Sequence, residues 1–434
     1  MITKQLIDQI EGEATLYFEM KENIVDFATI AFPHFRGMES ILEGKPALDA
    51  LVITPRVCGI CGHAHLLATV RAIEDAYKNA GYPVNITEKS EQIRELTLIL
   101  EIIQNHFKWI YLVIIPELIK LSGSQKQAYP LKGAFAASIA TKALAIFAGQ
   151  WPHSSYMIPG GITSDPSHVE RIKAKSHIQE LITFFEKECI KGMKLEEFLN
   201  LTACGEFDKI EGDIGMVSRT MKEVKLHEVG KSYDRFIVLG EHSFSYPSKL
   251  KQTRQFAVQA KYVSIQDAYS PSEKTYAKNA LYRDMFYETG PLARTMASGD
   301  AAIKNMHRRY KDSTYSRVMA RAFELGKLLH KAEKLVTQLD LSQDSFVNPM
   351  PIEKISAKGV GVVEAPRGPL LHTIEIVEGR IHNYEIITPT QWNIGSATKE
   401  NPTPVQKAMK GCSSKAEALF VFRSFDVCSV CTTH

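Results

Sequence analysis

Little in this chain belongs to the specialised classes of protein. Seven cysteines in 434 residues are too few for a disulfide scaffold. An excess of one charge is also lacking: 52 Lys and Arg stand against 49 Asp and Glu, with no basic run. Composition therefore gives no reason to expect nucleic acid or an anionic membrane surface as partner. The most apolar stretch, 109–119, is too short to span a bilayer, with Lys108 before it and Glu117 inside it. Met1 to Gln5 leads into charged residues, not an apolar signal core, so a cytoplasmic location is expected. No internal repeat, low-complexity tract or linker stands out, and residues 1–434 read as a single domain. The Pro/Ser/Lys-rich stretch 245–251 is the best loop candidate.

What is present is enough apolar side chain, 44%, to bury a large core. Helical periodicity runs over 66–80, closed by Gly81, then 90–115, 166–190 and 314–339, with Ser90 as an N-cap and Asp165 as a cap before Pro166. These segments are apolar on more than one side, which predicts a central bundle. Strand character appears at 16–27, at 236–239 and across 359–388, where Thr373 to Val377 and Tyr384 to Ile387 flank a turn at Glu378-Gly379-Arg380. The expected fold is mainly α with peripheral β, an α+β architecture around long helices.

The cysteines carry the chemistry. Four of them form two C-x-x-C pairs, Cys58 with Cys61 and Cys428 with Cys431, at opposite ends of the chain; Cys189, Cys204 and Cys412 stand alone and read as inert thiols. The first pair precedes a predicted helix, whose N-terminal amides favour thiolates. The second pair lies within the last seven residues, and a ligand set there requires a terminus tied down inside the protein. Four converging thiolates suit zinc, an iron-sulfur cluster or nickel. Structural zinc is the plain alternative, although zinc ribbons place their pairs roughly 15 to 20 residues apart. A thioredoxin-like dithiol fits less well, since neither pair follows a strand in a βαβ unit.

Arg56-Val57-Cys58-Gly59-Ile60-Cys61 with His65, and Asp426-Val427-Cys428-Ser429-Val430-Cys431 with His434, resemble the two signature motifs of nickel-iron hydrogenase large subunits. The resemblance runs along the chain. Ile10-Glu11-Gly12, Phe35-Arg36-Gly37-Met38-Glu39, Pro152-His153 with Pro159-Gly160-Gly161, Gly290 to Arg294, Ala365-Pro366-Arg367-Gly368 and Pro389-Thr390-Gln391-Trp392-Asn393 are similar to family segments in the same order.

That resemblance implies a catalytic subunit for the reversible heterolytic cleavage of H2, of the uptake type. The alternative is a hydrogen-sensing subunit with slow turnover. A metal-free relative, such as the quinone-site subunit of respiratory NADH dehydrogenase, would lack these cysteines. Cys58 and Cys428 would be terminal nickel ligands, and Cys61 and Cys431 would bridge nickel to an iron carrying carbon monoxide and cyanide. Cys428 is the candidate base and Glu11 the next proton acceptor. Arg367 would hang over the metals, held by Asp426 and by Glu117, either polarising the gas or acting as a base. Pro366, Arg367 and Leu370 would shape the pocket around the diatomic ligands, with Thr390 donating to a cyanide. Glu39, His434 and the Ile386 carbonyl would hold Mg2+ (or Fe2+) near the C-terminus. His65 would orient the first cysteine loop.

Gln9, Glu117, Gln391 and Val427 depart from the usual residues without removing a metal ligand. The end at His434 reads as a processed product or a type made without an extension. No cysteine set is left for an electron relay, so iron-sulfur clusters are expected only in an obligate small subunit. The heterodimer would be able to pair again and reach a membrane only through partners.

Overall fold

The computed structural model describes residues 2–7, 12–124, 129–239 and 253–431. The chain begins with an antiparallel sheet of β1 (Ile2–Ile7), β2 (Ala14–Lys21) and β3 (Ile24–Ala31). The expected strand 16–27 is thus a hairpin, turned at Glu22 and Asn23, both at positive φ.

The bundle follows. It contains α1 (Gly62–Asn79), α2 (Glu88–Lys108), α3 (Pro130–Ala148), α4 (His168–Phe184) and α5 (Thr314–Gln338). Helix α2 runs on through a π-helical stretch, Trp109–Ile114, into Ile115–Ser122. The joined helix Glu88–Ser122 and α3 are long and apolar enough to cross a membrane; the apolar window of the first is 83% buried inside the molecule, as a core helix would be.

The expected caps moved by a few residues. Thr87 caps α2 by accepting from the Ser90 amide, so Ser90 lies inside the first turn. Ser167 caps α4 in a capping box with Glu170, and Asp165 instead pairs with Lys89. Helix α3 was not anticipated, because its Ala-rich run lacks an amphipathic stripe.

A second antiparallel sheet orders β4 (Ala357–Ala365), β5 (Gly368–Val377) and β6 (Arg380–Ile387) in sequence. The turn at Glu378 and Gly379 is as expected, both residues having positive φ. Ala365 pairs directly with Gly368, so Pro366 and Arg367 are the tip of a second tight hairpin. Strand β4 lies on α1 so closely that an added Cβ at Gly361 would stand 1.9 Å from the Ala68 carbonyl oxygen, and one at Gly359 2.0 Å from that of Ala72. Alternate strand residues face one side, so two glycines two apart let the whole strand settle onto the helix backbone.

Helix α6 (Lys415–Ser424) then leads to the second cysteine pair. Of the strand expected at 236–239, Phe236–Ile237 is formed. The 245–251 loop lies outside the described residues.

Candidate metal centre

Four thiols from the two ends of the chain meet in the interior. Cys58 and Cys428 Sγ are 3.7 Å apart, Cys61 and Cys431 Sγ 3.7 Å, and Cys428 and Cys431 Sγ 3.0 Å. All four are buried and none is in a disulfide. The first pair sits at the head of α1; the second follows Asp426, which turns the chain at φ 58°.

Electrostatics favour a shared negative charge here. The Ile60 and Cys61 amides both donate to Cys58 Sγ at 3.3 Å. The thiols of Cys428, Cys431 and Cys61 also donate to Cys58, which holds it well below the usual thiol range, while burial pushes Cys428 up. Negative charge within the set is drawn to Cys58, which the Arg367 guanidinium also favours, and a bound metal would deprotonate the others.

Arg367, at the hairpin tip, is buried; its Nε donates to the Asp426 backbone carbonyl at 2.9 Å and meets the Asp426 carboxylate at 3.0 Å. Burial opposes its charge, but Asp426 and the thiols outweigh this and hold its pKa well above the ordinary value. The Asp426 carboxylate and the neighbouring thiols together favour its charged form.

Asp426 also pairs with Arg321 of α5, whose Nη1 reaches Asn105 Oδ1 at 3.3 Å and whose guanidinium lies 4.3 Å from the Trp109 ring. The expected partner Glu117 is not there. It pairs with Arg423 at 2.6 Å instead, because it lies on the helix beyond the π-helical stretch, against α6.

The donor set of four thiols fits a soft metal group. Besides the thiols, two buried side-chain donors, Arg367 Nη1 and Thr390 Oγ1, have no hydrogen-bond partner among the described residues. Carbon monoxide or cyanide on a metal would give these two donors acceptors. Pro366 and Leu370 lie on the same hairpin, and Leu370 is fully buried. On β6 the Ile386 amide donates to Glu39 Oε1 at 2.8 Å, which brings those two expected ligands together. Glu11 and His434 lie outside the described residues. Gly12, next to Glu11, packs so closely on the second cysteine loop that a Cβ there would stand 2.1 Å from Ser429 Oγ.

Several supports were not foreseen. Arg36 donates from Nη1 to the carbonyls of Val57 and Val430, tying both cysteine loops together, and from Nη2 to that of Arg56. Its place in Phe35-Arg36-Gly37 was the available signal. Thr388 Oγ1 donates to the Cys431 carbonyl at 2.6 Å. His65 Nδ1 lies 3.0 Å from His372 Nε2, and His372 Nδ1 2.7 Å from the Tyr384 hydroxyl, so the His65 ring is locked to the sheet. Cys189, Cys204 and Cys412 are buried away from this cluster.

The family model for nickel-dependent hydrogenases matches residues 36–116 and 134–434. Sulfhydrogenase 2 subunit alpha of Pyrococcus furiosus is 26% identical over 415 residues, covering 92% of this chain and 90% of that one. The periplasmic [NiFeSe] hydrogenase large subunit of Desulfomicrobium baculatum is 24% identical, covering 99% and 93%. A solved Dm. baculatum [NiFeSe]-hydrogenase matches in fold with a TM-score of 0.80, at 22% identity and full coverage of both chains. With the buried tetrathiol joining the two ends of the sequence and the family pattern spanning nearly all of it, this chain belongs to the nickel-dependent hydrogenase family of H2 oxidoreductases.

Proposed function

We propose that the chain is the catalytic large subunit of an H2-uptake hydrogenase, folded as one domain. The observation that carries the reading is the buried tetrathiol beside two donors that have no partner among the described residues, Arg367 Nη1 and Thr390 Oγ1. Cys58, Cys428, Cys61 and Cys431 would together hold nickel and an iron with carbon monoxide and cyanide ligands. When bound, that centre supplies the heterolytic cleavage of H2 into protons and electrons.

The protein's own groups do the rest. Cys428 Sγ takes the proton and Glu11 receives it next. Arg367, kept charged by Asp426, polarises the gas and donates to a diatomic ligand, and Asp426 fixes its position through both its carboxylate and its backbone carbonyl. Pro366 and Leu370 keep that pocket dry, and Thr390 Oγ1 donates to a cyanide. Glu39, the Ile386 carbonyl and His434 would hold Mg2+ (or Fe2+), pinning the C-terminal segment.

The relatives are named alpha or large subunits, which supports a second subunit as partner. Outside the tetrathiol the only cysteines are three isolated ones, so we assign the electron path to iron-sulfur clusters on that small subunit, in a heterodimer able to pair again. We place the complex in the cytoplasm, with membrane association only through partners.

The test is infrared spectroscopy with metal analysis and hydrogen-dependent dye reduction. Carbonyl and cyanide bands with stoichiometric nickel and iron, and rapid dye reduction, are the expected results. Zinc in place of nickel, with no such bands after maturation, would overturn the reading.

A further inference from the structure

Helix α1 starts with a structural problem. Its N-cap position is Cys61, whose side chain makes no cap hydrogen bond and which the proposed function reserves for metal. An ordinary cap would be a Ser, Thr, Asp or Asn accepting from the second or third helical amide. Those amides, of His63 and Ala64, instead donate at 2.9 Å each to the two carboxylate oxygens of Glu101, which comes from the neighbouring helix α2.

Glu101 is fully buried, makes no ion pair among the described residues, and receives one further hydrogen bond, from Trp151 Nε1 at 3.3 Å. A buried carboxylate without a cation is costly, and burial pushes its pKa up to about 8. One turn further along α2, Gln104 Nε2 donates to the Ile60 carbonyl at 3.3 Å, inside the same C-x-x-C loop. Two side chains three residues apart on one helix face thus grip both polarities of the loop's backbone. Gly62 is held from the other side, where a Cβ would stand 2.4 Å from the Pro55 carbonyl oxygen.

We infer that Glu101, seconded by Gln104, is the positioning residue of the first cysteine pair: a helix cap lent by α2, because the helix's own cap residue must stay free to bind metal. Glu101 does not touch the thiols. It acts by fixing the direction of the α1 amides and so the separation of Cys58 and Cys61. The inference rests on the hydrogenase reading for what the cysteines bind, but the cap itself is a property of the polypeptide.

The experiment uses the full chain, purified before and after metal insertion, as wild type, E101Q, E101D and Q104M. Amide hydrogen exchange is followed in the 62–66 segment and, as internal reference, in α5. E101Q keeps the side-chain size but turns an N–H2 toward an amide donor, so exchange at 62–66 should rise about 10- to 100-fold while α5 is unchanged. E101D, with its shorter carboxylate, should give a smaller rise, and Q104M one confined to the loop. In the loaded protein, E101Q should lower nickel occupancy and displace the carbonyl and cyanide bands.

Unchanged exchange at 62–66 in both Glu101 variants overturns the proposal whatever metal the wild type carries. So does faster exchange with occupancy and bands both unmoved, since the loop would then not depend on the cap. If E101Q does not fold, E101D decides by the same readings. Faster exchange at 62–66 together with a wild type that takes up only zinc would uphold the cap, with zinc occupancy as the dependent quantity, and reject the hydrogenase reading instead.

Discussion

Asp426 is the residue whose replacement separates charge from geometry most cleanly. Its carboxylate lies between Arg367, at 3.0 Å, and Arg321, with all three side chains buried. At an effective dielectric of about 20, each close pair is worth roughly 4 kcal/mol before desolvation. Removing one partner of a buried pair costs about 3–5 kcal/mol net, because the remaining charge is uncompensated. D426N keeps the volume, and asparagine accepts the residue's φ of 58°, so no backbone strain is added.

In the chain without metal, D426N should therefore lower unfolding free energy by about 3–5 kcal/mol, with Arg321 and Arg367 left facing each other. Burial works against its charge, but the two guanidiniums hold the Asp426 pKa below the ordinary 3.8. Its contribution is present above that value and lost as pH falls through the depressed one. The gap between wild type and D426N should stay flat from about pH 5 to 8 and close only below about pH 4. Urea unfolding across that range is the assay. A difference under about 1 kcal/mol at pH 7, or one that already closes at pH 6, would refute the two-arginine account.

G361A should cost about 1–3 kcal/mol by urea unfolding, since a Cβ 1.9 Å from the Ala68 carbonyl oxygen forces β4 off α1; the exposed V360A is the control. With G359A added, the loss should fall short of the sum, because one shift relieves both clashes. Burial lowers the His63 pKa to about 3, so wild type should lose about 2 kcal/mol relative to H63Q between pH 7 and pH 5, as the unfolded chain alone takes up the proton. That is checked by unfolding at the two pH values. T390V removes a buried hydroxyl that has no partner among the described residues, so the metal-free chain should unfold at equal or higher urea, while one cyanide band moves in the loaded protein. R36M should lower nickel content, measured by metal analysis, because Arg36 joins the carbonyls before Cys58 and Cys431.

The sequence by itself determined the composition of the metal centre. Cys58, Cys61, Cys428 and Cys431 stand out as two C-x-x-C pairs by residue type and spacing alone. The long helices and the Glu378-Gly379 turn were legible for a similar reason, since periodicity and turn chemistry are local. Helix α3 was not, because an Ala-rich run buried on one face and exposed on the other carries little amphipathic signal.

The tertiary structure alone decided the charge partners. Glu117 stood in a motif-like segment but the π-helical stretch before it and the packing of α6 gave it to Arg423, while Arg321, from a distant helix, took the place beside Asp426. Glu101 reads in sequence as one more residue in a helix that should expose some acids. Only the crossing of α2 over the start of α1 turns it into a buried cap, because hydrogen bonds between helices depend on rotation and approach, which one-dimensional spacing does not encode.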